Sequence, residues 1–431
     1  MFALSVYPEG YSHTMSDRLI SRIDRIAQEI DTPFYIYFPD QIRVAFERFR
    51  AGLAGWGEGR IAYSLKTNPF WKLLADVRGL GCCAEVVSEW EYRLATYAGF
   101  PPTSIIFNGP LKPLSAIQFA ADSGVLTLNI DSLDELERIY EYSVRTKKRF
   151  SIGVRLCPDS RGYASSRFGL QAETGEVDAA IEKIMSHNLF RLQCIHFHLG
   201  TQLQTPDPHL EALRLAQRCW ETFDLKENVF LDVGGGFPYS HDVSLAAQSF
   251  EPEDFFSELR QSWGYRVVPP IIVEPGRWIS ASAFGVVSRV LSCKPRKSEP
   301  SIIVLDSGTN HNVMGAFYDH SWVFLESATE RSSFRFCGPL CMEDDILSGE
   351  IVGEPPRVGS LAMMMNAGAY SFSLSRSFIQ ARPPVVQLCQ DGDYQILTPR
   401  EEPATAYGTK DDPFCASHAI QESLDVSGSK T

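Results

Sequence analysis

The sequence predicts an α/β protein, a (β/α)8 barrel joined to a smaller, mostly-β domain. Two observations carry this. Between about residues 40 and 280, apolar runs alternate with amphipathic helical stretches, and the runs number eight. Beyond residues 270–283 the rhythm changes, and strand-like segments follow one another with little helix between them.

The eight runs are "IAYSL" (61–65), "CCAEVV" (82–87), "IIFNG" (105–109), "LTLNI" (126–130), "SIGVRL" (151–156), "LQCIHFHL" (192–199), "VFLDVGG" (229–235) and "IIVEPG" (271–276). Runs this continuous read as strands buried on both faces, hence a parallel sheet covered by helices. Helical segments separate them. In "SLDELERIYEYSV", Ser132 and Glu135 form a capping box ahead of Leu133, Leu136, Ile139 and Tyr140. In "HLEALRLAQRCWETF", Leu210, Leu213 and Trp220 fall near one face. The second domain is read from "FGVVSRVLSC", "SIIVLDSG", "SFRFCGP", "LAMMMNAGAYSF" and "PVVQLCQ", with "PFYIYF" (33–38) adding a strand from the other end of the chain. The expected division is 1–39 as an N-terminal segment lending a strand to the β domain, 40–283 as the barrel, 284–405 as the β domain, and 406–431 as a polar tail.

Composition narrows the function. With a net charge of −13 and no basic stripe, nucleic acid is not an expected partner. No stretch approaches about 18 apolar residues, so no membrane span is expected. The start "MFALSVYPEGYSHTM" lacks the basic and apolar regions of a signal peptide. The ten cysteines include no C-x-x-C pair, which fits free thiols in a reducing cytoplasm.

Barrels of this kind carry their chemistry at the C-terminal strand ends. The first run ends at Lys66, either a solvated lysine just past the strand or a Schiff-base lysine whose amine is partly desolvated. In "HFHLGTQ" (196–202), His196 and His198 form either a metal-ligand pair or the end of a buried strand that lays one imidazole over something flat. No third ligand has suitable spacing, so no metal is expected. The seventh run ends in Gly234, Gly235 and Gly236, a tight turn or an anion cradle. The eighth ends in "EPGRW", where Glu274 and Arg277 make a surface pair or Arg277 completes a phosphate site. Together, lysine, triple glycine and E-P-G-R point to a phosphorylated aldehyde held by lysine, pyridoxal 5′-phosphate (PLP).

The segments "YSLKTNP", "HFHLGTQ", "DVGGGFP", "EPGRW", "CGPLC" and "NAGAYSF" stand in the order seen in fold-type III PLP-dependent decarboxylases, the diaminopimelate, ornithine and arginine decarboxylase group. The chain resembles that family over roughly residues 30–400, and most of all the diaminopimelate-like branch used in antibiotic and siderophore biosynthesis. The resemblance implies an alanine racemase-like fold and assigns roles. Lys66 carries the cofactor as a Schiff base and His198 stacks on its ring, while His196, deeper on the same side, is packed and hydrogen-bonded. Thr201, Gly234, Gly235, Gly236, Gly276, Arg277 and Tyr370 surround the phosphate. Glu274 faces the pyridine nitrogen, and Glu85 lies near the ring with Arg155 paired to it. Cys341, supplied across a homodimer interface, returns a proton to Cα after CO2 leaves.

Two departures bear on the substrate. Met314 stands where diaminopimelate decarboxylases place the arginine that grips the distal carboxylate, and Met342 replaces the glutamate that follows the cysteine. Each lost contact is worth roughly 1.5–3 kcal/mol. Asp306, Tyr318, Glu343 and Asp345 are further candidates to line the pocket. The expected activity is α-decarboxylation of an L-amino acid, or of the amino-acid end of a citrate- or carrier-linked conjugate, with an acyl-carrier protein as a candidate partner. The alternatives are meso-diaminopimelate decarboxylation, decarboxylation of ornithine, arginine or lysine, and, from another class, a catalytically dead regulator.

Overall fold

A computed structural model describes residues 5–6, 17–158, 166–239, 250–318, 320–389 and 391–406, so the tail expected after residue 406 lies outside the described residues. The eight apolar runs form eight strands: β1 Gly59–Ser64, β2 Cys83–Val86, β3 Ile105–Phe107, β4 Thr127–Ile130, β5 Phe150–Cys157, β6 Phe190–His196, β7 Phe230–Asp232 and β8 Ile271–Val273. Each pairs in parallel with the next, and β8 pairs with β1, closing the barrel.

Strand alternation explains where the chemistry sits. Ala62, Cys83, Ile106, Cys194, Phe230 and Ile272, from six different strands, pack together as an apolar layer. Two residues further along each strand, on the same side, come Ser64, Glu85, Asn108, His196, Asp232 and Glu274, all buried. One step toward the C-terminal ends therefore turns an oily plug into a polar layer.

The helix Leu133–Thr146 begins as expected, with Ser132 accepting from the Glu135 N–H. The reciprocal half of the capping box differs. Glu135 takes the Asp131 N–H and the buried Lys112 ammonium instead. The Lys112 ammonium also donates to the carbonyls of Gly109 and Asn129, so all three of its protons are engaged. A buried ion pair is tolerable only with such complete bonding.

The described residues divide into two compact units, those within 38–283 together with 368–373, and those up to 37 together with 284–367 and 374–406. In the second, a ten-stranded sheet is built around Phe284–Lys294. Phe34–Tyr37 pairs antiparallel with that strand and parallel with Val385–Leu388. The three-residue strands Trp322–Phe324 and Ile351–Gly353, and the helix Asp17–Glu29, were not anticipated from sequence. The expected block 284–405 is also interrupted, because 368–373 is bound into the barrel unit. Gly368 N–H donates to Ala281 O at 2.9 Å and Tyr370 N–H to Thr67 O at 2.8 Å.

Buried imidazoles make the fold sensitive to acid. His209 stacks on Phe237 and meets Phe255 edge-on, and burial pushes its pKa down to about 4 from 6.5. Burial does the same to His311. Both folded values lie below the unfolded one. Stability is therefore complete above about pH 6.5 and is lost as pH falls, because only the unfolded chain takes up the protons, at about 1.4 kcal/mol per pH unit for each group at most. Urea midpoints are expected to fall steeply between pH 6.5 and about 4, and His209→Leu should flatten that slope by about 1 kcal/mol per pH unit. An unchanged slope would contradict this.

Candidate active site

The polar layer is held by strands of fixed register, so its side chains meet without loops having to place them. At the end of β1, Lys66 Nζ donates to Ser64 Oγ at 2.8 Å and to Glu85 Oε2 at 2.7 Å. Burial opposes the ammonium, but the charges of Glu85 and Glu274 outweigh it and hold Lys66 above the usual lysine range. The sequence reading expected an amine eased toward neutrality by desolvation. The structure instead supplies an acceptor for its proton. Glu85 is fully buried and is kept ionised chiefly by Lys66, with help from Ser64 and Asn108.

Glu274, at the end of β8, is the centre of the layer. Asn108 Nδ2 donates to Glu274 Oε1 at 2.6 Å and to Glu85 Oε1 at 3.1 Å, joining the two carboxylates. Asn108 is oriented in turn by Asn129, and Asn129 by Thr127. Burial and the Glu85 charge push the Glu274 pKa up to about 7. No cation bonds Glu274 among the described residues; it is a buried carboxylate short of a positive partner, which a pyridinium N–H would supply.

His198 is pinned from the glycine loop, where Gly235 N–H donates to its Nδ1 at 3.1 Å. That bond leaves the proton on Nε2, and burial, with Lys66 and Arg155, lowers its pKa to about 3. The ring is therefore neutral and fixed. His196 is one layer deeper, as alternation predicts, but neither ring nitrogen has a hydrogen-bond partner among the described residues, contrary to expectation. Its Nε2 lies 3.8 Å from Glu274 Oε1. Spacing along the chain suggested no third group near this histidine; across strands, Asp232 and Glu274 complete a cluster whose atoms all lie within 4.8 Å. Within this cluster Asp232 Oδ1 accepts from the Gly234 N–H and Glu274 Oε1 from Asn108.

The triple glycine corrects a further expectation. Its N–H groups do not all converge on an anion, since Gly234 donates to Asp232 and Gly235 to His198; only the Gly236 N–H has no partner among the described residues. The glycines are needed for closeness. A Cβ on Gly235 would meet Glu274 O at 2.6 Å, and one on Gly276 would meet Thr67 Oγ1 at 2.2 Å. Gly234 is also left-handed, with φ +67°, and a Cβ there would sit 2.5 Å from Phe197 O. Gly234→Ala is expected to weaken PLP binding by about tenfold or more, read as the visible absorbance of protein titrated with PLP. Wild-type affinity would contradict a close-fitting cradle.

Arg277 stacks on the Tyr370 ring with its Cζ 5.2 Å from the centroid, which brings two of the expected phosphate groups together. Thr201 lies exposed beyond Gly200. Arg155 pairs with Asp131 at 3.1 Å and not with Glu85. The reason is topological: β5 adjoins β4, at whose end Asp131 stands, whereas Glu85 is on β2.

The remaining expected residues belong to the β unit. Cys341 and Glu343 are exposed, while Met314, Tyr318 and Met342 are half-buried. Two carboxylates are already committed. Asp345 takes the Thr309 N–H and hydroxyl on one oxygen and the Leu340 N–H on the other, clamping the "CGPLC" loop. Asp306 is bonded by the Thr32 hydroxyl and the Arg289 N–H.

A half-buried lysine beside a buried carboxylate, a second carboxylate with no cation bonded to it, and a loop too close for any side chain suit PLP. Residues 39–281 match the family model described as "Pyridoxal-dependent decarboxylase, pyridoxal binding domain". The chain belongs to this family. It is a PLP-dependent amino-acid decarboxylase. Among relatives of this decarboxylase, a diaminopimelate decarboxylase of Zymomonas mobilis is 28% identical over 87% of this chain and 91% of its own. An L-glutamyl-(BtrI acyl-carrier protein) decarboxylase of Niallia circulans is 27% identical over 88% of this chain and 93% of its own. The solved diaminopimelate decarboxylase of M. jannaschii in complex with L-lysine superposes with a TM-score of 0.83 at 22% identity, covering 96% of this chain and 98% of its own, and shows the shared fold.

Proposed function

We propose that this decarboxylase removes the α-carboxylate of an L-amino acid whose distal end is larger or less charged than that of diaminopimelate, such as an amino acid joined to citrate or to a carrier protein, in siderophore- or antibiotic-type biosynthesis. The observation that carries this reading is the pair of methionines, Met314 and Met342, at positions where a diaminopimelate enzyme needs an arginine and a glutamate. Asp306 and Asp345 do not compensate, because their oxygens are committed within the β unit. The carrier-linked activity named for the Niallia circulans relative supports the same direction. The exposed Cys341 loop supports a homodimer in which a partner subunit's surface completes each site.

PLP supplies a pyridinium ring that accepts the electron pair left by CO2. The protein does the rest. Glu85 Oε2, 2.7 Å from Lys66 Nζ, fixes the lysine nitrogen at the end of β1 and balances its positive charge. The Glu274 carboxylate, buried and with no cation bonded to it among the described residues, would face the pyridinium in a water-poor layer, where its field is strongest. His198, neutral and fixed, bounds the site without adding a charge. Arg277, Tyr370 and the Gly236 N–H hold an anion. Cys341 is the residue proposed to return the proton to Cα.

A second reading has support of its own: several relatives carry the name diaminopimelate decarboxylase, and the exposed Glu343 adjoins Met342. The test is CO2 release by PLP-loaded protein from meso-diaminopimelate, free L-glutamate, ornithine, lysine and a carrier-linked aminoacyl thioester. No turnover of free meso-diaminopimelate, with turnover of a conjugate, is expected. Lysine formation near the ~10 s⁻¹ typical of enzymes would replace the first reading with the second.

A further inference from the structure

In the same polar layer as Glu274, Asp232 has no evident task. It ends β7, is fully buried, and clusters with Glu274 and His196, one atom of each lying within 4.8 Å of the others. Its Oδ1 accepts the Gly234 N–H at 2.9 Å. Its Oδ2 is buried and receives no hydrogen bond from any described residue. An ionised carboxylate would leave that oxygen charged in a dry barrel against a second carboxylate, an arrangement in which both groups do not ionise together.

We propose that Asp232 is a positioning residue that carries a proton on Oδ2 and directs it at Glu274, fixing Glu274 as the anion of the pair. The inference rests on the reading that Glu274 faces the cofactor's pyridine nitrogen. The surrounding groups decide which carboxyl keeps the proton. Glu274 is favoured as the anion by the Asn108 hydrogen bond and the Lys66 ammonium. Asp232 faces Glu274 and, further off, Glu85, while the Cys194 thiol, raised by burial, adds no charge. His196 is held neutral by burial and by the Arg155 and Lys66 charges, so it does not neutralise either carboxyl. The pair would then meet a pyridinium as a single negative charge, with Glu274 oriented by Asn108 and by Asp232. A neutral aspartic acid and an asparagine share this pattern: one oxygen accepts from Gly234 and the other atom donates to Glu274.

The test uses full-length, PLP-loaded protein with isotope-labelled aspartate carboxyls. Near neutral pH, infrared spectra are expected to show a protonated aspartate signal that disappears in Asp232→Asn. PLP affinity is expected to fall less than about threefold in Asp232→Asn and more than about tenfold in Asp232→Leu, with the visible band displaced only in the latter. Absence of a protonated aspartate lost on substitution would overturn the proposal even if Asp232→Leu fails to fold. Equal loss of affinity in both folded variants would also overturn it. If the wild-type protein shows no visible band with PLP, the reading of Glu274 fails separately, and the infrared signal still decides where the proton sits.

Discussion

Lys66→Ala is expected to lower kcat/KM by more than about 10³-fold and to remove the visible band of bound PLP. The size follows from the chemistry. Lys66 Nζ stands at the end of β1 with Glu85 Oε2 at 2.7 Å and Ser64 Oγ at 2.8 Å, whereas all three protons of the buried Lys112 are committed. Its loss removes covalent attachment and also the cation that keeps Glu85 ionised. Glu85 is then expected to take up a proton, so the variant should fold, and circular dichroism distinguishes a chemical from a structural defect. Retained activity would mean that another amine carries the cofactor.

Glu274→Ala is expected to behave differently. PLP remains attached through Lys66 and the absorbance band persists, but kcat falls about 10²–10³-fold, the scale of one preorganised electrostatic contact. Glu274→Gln should be nearly as impaired, because the missing element is charge. Stability should move the other way. The folded pKa of Glu274 is raised to about 7 by burial and the Glu85 charge. Such a group stabilises the fold fully below its unfolded value and ceases to do so as pH rises through the folded one. Without PLP, Glu274→Gln is therefore expected to unfold at higher urea than wild type above about pH 7, and the advantage should vanish on adding PLP. A site that costs stability until its cofactor arrives would show both effects; a merely structural glutamate would show neither.

Much of this was legible in the chain. The eight runs became the eight strands, and the motif ends placed Lys66, His198, Glu274 and Arg277, because periodicity and terminal residues are local properties. What escaped lies across strands. Asn108 belongs to none of the quoted segments and Asp232 opens "DVGGGFP" without drawing attention beside its glycines; the importance of both comes from neighbours on β2, β6 and β8. A signal was nonetheless present: each follows an apolar layer residue, Ile106 or Phe230, by two positions. Arg155 was assigned the wrong partner for the same reason, since strand adjacency decided for Asp131. The glycine loop was misread in detail because sequence reveals conformational freedom but not where N–H groups point. Trp322–Phe324 and Ile351–Gly353 are three residues each, too short for alternation to register.

The most direct measurement is to load the protein with PLP, reduce it with borohydride and map the modified peptide by mass spectrometry. A single phosphopyridoxyl group is expected on Lys66, absent in Lys66→Ala and present in Glu274→Ala. Label on any other lysine, or none in a folded wild-type protein, would contradict it.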